Sequence, residues 1–196
     1  MNNIKNLLLV GVGGQGVILA SEMICAAAHK AGLDVKKSEV HGMSQRGGVV
    51  TSHVRYGEKV YSPLIAAGDA DIILAFEAAE ALRFAHELKS EGAMYASPYT
   101  LVPPIAGKKH KYPDSPLDQV KSKVKNFVIV DAEKIALELG NVRLANSVFL
   151  GALSENSGIP LEAWEWAVQT LAPKKTGPAN LEAFRRGRQL VASEAV

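Results

Sequence analysis

Two polar, glycine-rich stretches of this 196-residue chain have the composition of ligand loops. The first, GVGGQG at residues 11–16, follows the apolar run Leu7-Leu8-Leu9-Val10 and precedes an alanine-rich stretch. It matches G-x-G-x-x-G, a string that lets a phosphate rest on backbone N–H groups at the start of a helix. Gly11 permits the tight turn, Gly13 the approach of a phosphate, and Gly16 the packing of helix on strand. Gly14 and Gln15 add a further glycine and an amide side chain. Three readings stay open at this level: a dinucleotide site, a site for another phosphate-bearing ligand, and a tight turn that binds nothing.

The second stretch, HGMSQRGG at residues 41–48, brings together His41, Ser44, Gln45, Arg46, Gly47 and Gly48. A guanidinium such as that of Arg46 binds phosphate or carboxylate with two parallel hydrogen bonds, and paired glycines let backbone approach a ligand closely. His41 also reads as a surface or capping histidine, and His53, inside a strand pattern, as structural. A dinucleotide site would use an acid at the end of the second strand for the ribose. Glu39, 23 residues beyond Gly16, is the candidate, near the usual spacing of about 20. A nucleotide-hydrolysing P-loop is excluded, because Gly16 is followed by Val17-Ile18 where Lys-Ser/Thr is required.

The elements that must position these loops follow from the hydrophobic pattern. Residues 5–10 read as a buried strand, 16–31 as a helix stopped by Gly32, and 34–40 as a second strand. The two strands are expected to be parallel neighbours, so both loops should emerge at one edge of the sheet. Residues 49–55, rich in β-branched side chains, predict a strand. Tyr56-Gly57-Glu58-Lys59 then reads as a turn and Val60-Tyr61 as a return strand. Further strands are expected at 71–76, 93–96 and 127–130, and helices at 77–88, 117–124, 131–139, 145–156, 161–171 and 179–192. Residues 98–126 hold five of the nine prolines and the basic run Lys108-Lys109-His110-Lys111, and read as a long excursion. The expected architecture is an α/β, Rossmann-like, mostly parallel sheet flanked by helices, with an antiparallel hairpin excursion and C-terminal helices, in a single domain spanning 1–196.

Composition narrows the chemistry. With 22 basic and 20 acidic residues the net charge is +2, so no face is forced to be basic and general nucleic-acid binding is not expected. No apolar run approaches the ~20 residues of a membrane span. The N-terminus has no cleavable leader pattern, so a cytoplasmic protein with no membrane partner is expected. The one cysteine, Cys25, cannot alone ligate an iron–sulfur cluster or build a cysteine-based zinc site. Flanked by Ile24, Ala26 and Ala27 on the first helix, it reads as a small buried thiol rather than a nucleophile.

Taken in order, GVGGQG, EVHGMSQRGG, SHVRYG, YSPLI and GDADIILAFEAAEALR resemble the γ-type domain of the 2-oxoacid:ferredoxin oxidoreductases, and within that family the small subunit of its indolepyruvate branch. The resemblance runs over nearly the whole chain and is sharpest from residue 11 to residue 65; residues 98–125 carry no sharp motif of it. It implies half of an enzyme. Thiamine diphosphate and [4Fe-4S] clusters would lie on a large partner subunit, with coenzyme A as co-substrate, ferredoxin as electron acceptor and an aryl pyruvate, derived from an aromatic amino acid, as substrate. Gly68-Asp69-Ala70 is not followed by the long stretch ending in Asn that a thiamine-diphosphate motif needs. The isolated chain is therefore expected to be inactive, with no acid, base or nucleophile of its own. The glycine loop and Arg46 could serve a coenzyme A phosphate. Two alternatives remain, a free-standing NAD(P)-dependent oxidoreductase and a non-catalytic nucleotide sensor. The polar loop that replaces a helix after the second strand counts against the first.

Overall fold

A computed structural model describes residues 4–41, 48–102 and 111–194. Its centre is a six-stranded sheet in the order β2-β3-β1-β4-β5-β6. The strands are β1 (Lys5–Val12), β2 (Asp34–His41), β3 (Val49–Gly57), β4 (Ala70–Ala75), β5 (Leu88–Ala96) and β6 (Asn126–Ile129). β1, β4, β5 and β6 are parallel neighbours, whereas β3 runs antiparallel to both β1 and β2.

The apolar run of β1 reads as continuous because both faces of the sheet are covered. Leu7 and Leu9 point into one core layer, with Val54, Ile72, Leu74 and Tyr95. Leu8 and Val10 point into the other, with Ile73, Ala75, Met94 and Ala96. On the first face lie α1 (Val17–Lys30), α4 (Ala132–Glu138), α5 (Ala145–Ser154), α6 (Leu161–Leu171) and α7 (Gly177–Glu194). On the second lie α2 (Ala78–Phe84) and α3 (Pro116–Lys121). Helix α1 stops where expected. Gly32 has a φ of +81°, and Leu33 N–H donates to the Ala28 carbonyl at 3.1 Å, the bond pattern of a Schellman stop.

Several boundaries differ from the sequence reading. Val60-Tyr61 forms no return strand. Both edges of β3 are already paired, with β1 on one side and β2 on the other, so the antiparallel hairpin is β2–β3. Val60 N–H donates instead to Asp34 Oδ2 at 2.9 Å, and Tyr61 is 85% exposed. Residues 62–65 lie over the sheet, held by Arg55 Nη1 on the carbonyls of Ser62 (2.9 Å) and Leu64 (3.2 Å) and by Ile65 N–H on His53 Nδ1 (3.3 Å). His53 is thus a structural histidine. The helix expected over 77–88 is α2 and a turn of 3-10 helix, Ala85–Glu87, after which β5 begins five residues before the expected 93. Lys89, Ser90 and Glu91 hide that strand from a hydrophobic pattern.

Candidate functional site

Five strands share one direction, and their carboxyl ends define one edge of the sheet. At that edge β1 ends at Val12, the glycine loop turns, and α1 begins. Helix α1 leaves β1 over one face, while α2 leaves β4 over the other. The gap between the ends of β1 and β4 is therefore a topological switch point, where open α/β sheets bind ligands.

The β1–β4 ladder stops in an unusual way there. Val10 pairs with Ala75, and Phe76 N–H donates to the Val10 carbonyl at 2.8 Å. In a parallel ladder the next bond would run from Val12 N–H to the Phe76 carbonyl. Instead the side-chain amide of Gln15 lies between them. Val12 N–H donates to Gln15 Oε1 at 2.7 Å, and Gln15 Nε2 donates to the Phe76 carbonyl at 2.9 Å. Gly11 leaves the room for this, since a Cβ there would lie 2.9 Å from Gln15 Oε1, Phe76 Cβ and Val17 Cγ2. Gly16 adopts a left-handed conformation (φ +78°), and a Cβ on it would run into Asn146 of α5. Asn146 Nδ2 in turn donates to the Gly16 carbonyl at 3.2 Å. Gly14, with a φ of +104°, faces open space.

The loop borders a crevice of about 350 Å³, lined by Gly14, Gln15, Gly16, Ser97, Tyr99 and Arg143 among others. Ser97 and Tyr99 follow β5; Glu133, from the first turn of α4, and Asn146 complete the rim. No side chain caps the N-terminus of α1 among the described residues, so its first N–H groups and positive dipole end are offered to an anion. Arg143 lines the same crevice, and no salt bridge to it is found among the described residues. Beneath the rim, Glu77 is buried. It accepts from Glu80 N–H (3.0 Å), Leu101 N–H (3.0 Å) and the Tyr112 hydroxyl. Glu77 thereby caps α2 and ties Leu101 and Tyr112 to its start. Burial first, and then the hydrogen bond to Glu77, push the Tyr112 hydroxyl up to about 12.

Of the residues expected to form the site, Gly11, Gly13, Gly14, Gln15 and Gly16 all lie at this edge. Gly13 N–H donates to the Gly48 carbonyl at 2.9 Å, which joins the start of the glycine loop to the end of the second. Ser44, Gln45, Arg46 and Gly47 lie outside the described residues, as does the His41 side chain. The backbone of His41 closes β2 opposite Val50, which in turn pairs with Gly11. The second loop thus leaves the sheet at the same edge as the first. The strands preceding the two loops, however, are not neighbours as expected, because β3 lies between β1 and β2. That displaces Glu39 from the ribose position of a dinucleotide site. It is two strand spacings, about 10 Å, from β1, and bonds Lys37 Nζ at 2.6 Å. The geometry therefore does not favour the NAD(P) alternative.

Arg143, Asn146, Ser97, Tyr99 and Glu77 were not signalled by the sequence. Each lies more than 60 residues from the loop; Glu77 falls within the GDADIILAFEAAEALR stretch but had no role assigned there, and the other four carry no local motif. A larger cleft, about 1000 Å³, opens between α1 and β2 and is lined by Cys25, His29, Val35 and Leu171, with no residue of the glycine loop. Its volume is no argument for chemistry: burial pushes the Cys25 thiol up to about 11, so little of it is nucleophilic thiolate near neutral pH. Among the described residues no group of three or more His, Cys, Asp or Glu could hold a metal ion. No helix among them is long and apolar enough to cross a membrane.

Comparison with known proteins agrees with this geometry. The family model described as pyruvate ferredoxin/flavodoxin oxidoreductase matches residues 6–190. The indolepyruvate oxidoreductase subunit IorB of Thermococcus kodakarensis is 40% identical over 93% of both chains. Identity falls to 31% for the 2-oxoglutarate synthase subunit KorC of Methanothermobacter thermautotrophicus, over 95% of both chains. Among solved structures, the γ subunit of a keto/oxoacid ferredoxin oxidoreductase from Geobacter sulfurreducens superposes with a TM-score of 0.72 at 22% identity, covering 96% of this chain and 99% of that one. A 2-oxoglutarate:ferredoxin oxidoreductase from Magnetococcus marinus, with 2-oxoglutarate, coenzyme A and succinyl-CoA bound, gives a TM-score of 0.73 at 22% identity. There the match covers 98% of this chain but 32% of that longer one. The chain belongs to the pyruvate ferredoxin/flavodoxin oxidoreductase family, as one of its small subunits.

Proposed function

We propose that this chain is the small subunit of an indolepyruvate-type, aryl-pyruvate:ferredoxin oxidoreductase. The reaction is the oxidative decarboxylation of a 2-oxoacid with coenzyme A. The bond from the carboxylate carbon to the carbonyl carbon breaks and carbon dioxide leaves. The coenzyme A thiol gives up its proton to solvent as its sulfur bonds to the former carbonyl carbon, and the two electrons released pass to ferredoxin. The observation that carries the substrate class is the 40% identity with an indolepyruvate oxidoreductase subunit along 93% of both chains, against 31% for the relative named for 2-oxoglutarate.

Thiamine diphosphate and [4Fe-4S] clusters belong to a larger partner subunit in this reading. The single cysteine cannot hold a cluster, and the cofactors supply the carbanion and electron chemistry. The role of this chain is to bind and orient. The first turn of α1, the open backbone at Gly14 and the Arg143 guanidinium form an anion-accepting crevice that suits a coenzyme A phosphate. Gly11, Gly13, Gln15 and Gly16 shape it. In this reading His41, Ser44, Gln45, Arg46 and Gly47 of the second loop contribute to binding the same ligand. A cytoplasmic place for the complex is part of the proposal.

The test is to co-express this chain with its cluster-bearing partner and follow ferredoxin reduction by indolepyruvate, phenylpyruvate, pyruvate and 2-oxoglutarate, with and without coenzyme A. The expected result is coenzyme A-dependent turnover with a preference for the aryl pyruvates, seen with the complex and not with either subunit alone. Preference for 2-oxoglutarate, or turnover by the isolated chain, refutes the proposal.

A further inference from the structure

The glycine string of this loop is usually read as room for a phosphate. Here Gly11 makes room for a side chain of the protein itself. The primary amide of Gln15 has the same acceptor and donor pair as a peptide group, and it stands in the ladder where one direct bond between β1 and β4 would be. Val12 N–H and the Phe76 carbonyl each bond the amide rather than each other. The insertion lies at the switch point, where α1 and α2 depart over opposite faces.

From this we infer that Gln15 is a positioning residue: its amide wedges β1 and β4 apart at their carboxyl ends and so fixes the width of the crevice in which a ligand's anionic group meets α1. Its polar atoms are turned to Val12 and Phe76, and its role is to hold Gly14, Gly16 and the start of α1 in place. Two further features agree. Gly11 is compatible with the wedge only as glycine, because a Cβ would strike the amide oxygen. The loop beyond the wedge is pinned by a second amide, that of Asn146 on the Gly16 carbonyl. Two side-chain amides thus brace a turn whose backbone bonds are Gly13 N–H to the Gly48 carbonyl (2.9 Å) and Gln15 N–H to the Val12 carbonyl (3.2 Å).

The inference rests on the coenzyme A reading above, and its test separates the two. In the assembled complex, Gln15→Met keeps the side-chain length and removes both hydrogen bonds. Gln15→Glu keeps an acceptor for Val12 N–H and removes the donor to Phe76. Two quantities are read in each: amide hydrogen exchange at Val12, and KM and kcat for coenzyme A. The expected result is loss of Val12 protection in Gln15→Met with retention in Gln15→Glu. The KM for coenzyme A should rise roughly 10- to 100-fold in Gln15→Met, as for a misplaced binding group, with a smaller fall in kcat. Unchanged Val12 exchange in Gln15→Met means the wedge bond does not exist. Faster exchange with an unchanged KM means the wedge braces the fold without setting the site. Either outcome overturns the inference. A wild-type complex indifferent to coenzyme A removes the reading beneath it, and does so without any variant.

Discussion

Replacing Gly11 by alanine adds one methyl group where three heavy atoms already crowd the loop. The new Cβ would lie 2.9 Å from three heavy atoms: Gln15 Oε1, Phe76 Cβ and Val17 Cγ2. Phe76 and Val17 are buried, 5% and 3% exposed, and neither contact is with the end of a flexible chain. Overpacking of this kind costs roughly 1–3 kcal/mol. If the amide yields instead, Val12 N–H loses its partner, and a buried unpaired donor costs about 1–3 kcal/mol. Gly11→Ala should therefore destabilise the chain by about 2–6 kcal/mol when both effects act. At roughly 2–4 °C per kcal/mol for a chain of this size, the melting temperature should fall by about 5–20 °C. Urea unfolding followed by circular dichroism gives the free energy, and an unchanged m-value shows that the unfolded state is not the cause. The same change in a Gln15→Ala background should cost at least about 1 kcal/mol less, because one clash and both hydrogen bonds are already gone. A loss under about 0.5 kcal/mol, as for an ordinary surface substitution, or strict additivity of the two changes, refutes the packing argument.

Two further predictions concern Glu77 beneath the site and Cys25 in the larger cleft. Glu77→Ala leaves Glu80 N–H, Leu101 N–H and the Tyr112 hydroxyl without their acceptor, so it should cost about 3 kcal/mol or more; an unchanged melting temperature counts against Glu77 as their anchor. Cys25, pushed up to about 11 by burial, should be about 1% thiolate at pH 9, where an ordinary thiol is mostly ionised. Its alkylation in the folded chain should keep accelerating with pH toward 11, tens of times slower at pH 9 than in the urea-unfolded chain, and equal rates at pH 9 contradict the burial.

The parts of the fold that could be read from sequence are those set by local chemistry. The Leu7–Val10 run, the alanine-rich stretch and Gly32 define β1 and α1 without tertiary help, and both appear where expected. The C-terminal helices also formed close to their expected ranges, since their apolar periodicity is enforced by the α5, α6 and α7 core around Trp164 and Phe184. What could not be read is what depends on partners remote in sequence. Tyr56-Gly57-Glu58-Lys59 has the residues of a hairpin turn, yet no strand returns, because β2 already holds the free edge of β3. Nor does Arg143 carry any local mark of its place beside Gly14; that follows from the packing of α5 against the start of α1.

The displacement of β2 by β3 decides how the glycine string must be understood. A dinucleotide fingerprint works through three elements in fixed contact: a first strand, its helix, and a second strand alongside that offers an acid to the ribose. This chain has the first two, and at the third position it has an antiparallel strand whose residues Val49, Val50 and Thr51 face the loop end of β1. The acid is two strands away and engaged with Lys37. With that contact removed, Gly11 and Gly16 are explained by protein atoms, the Gln15 amide and Asn146, while Gly14 is open and lines one crevice with Ser97, Tyr99 and Arg143. In the coenzyme A reading proposed above, the ligand's anionic group therefore belongs on the β4–β5 side of the loop rather than on its β1–β2 side. An anion held there lies between elements far apart in the chain, and its recognition depends on how they pack rather than on the string G-x-G-x-x-G.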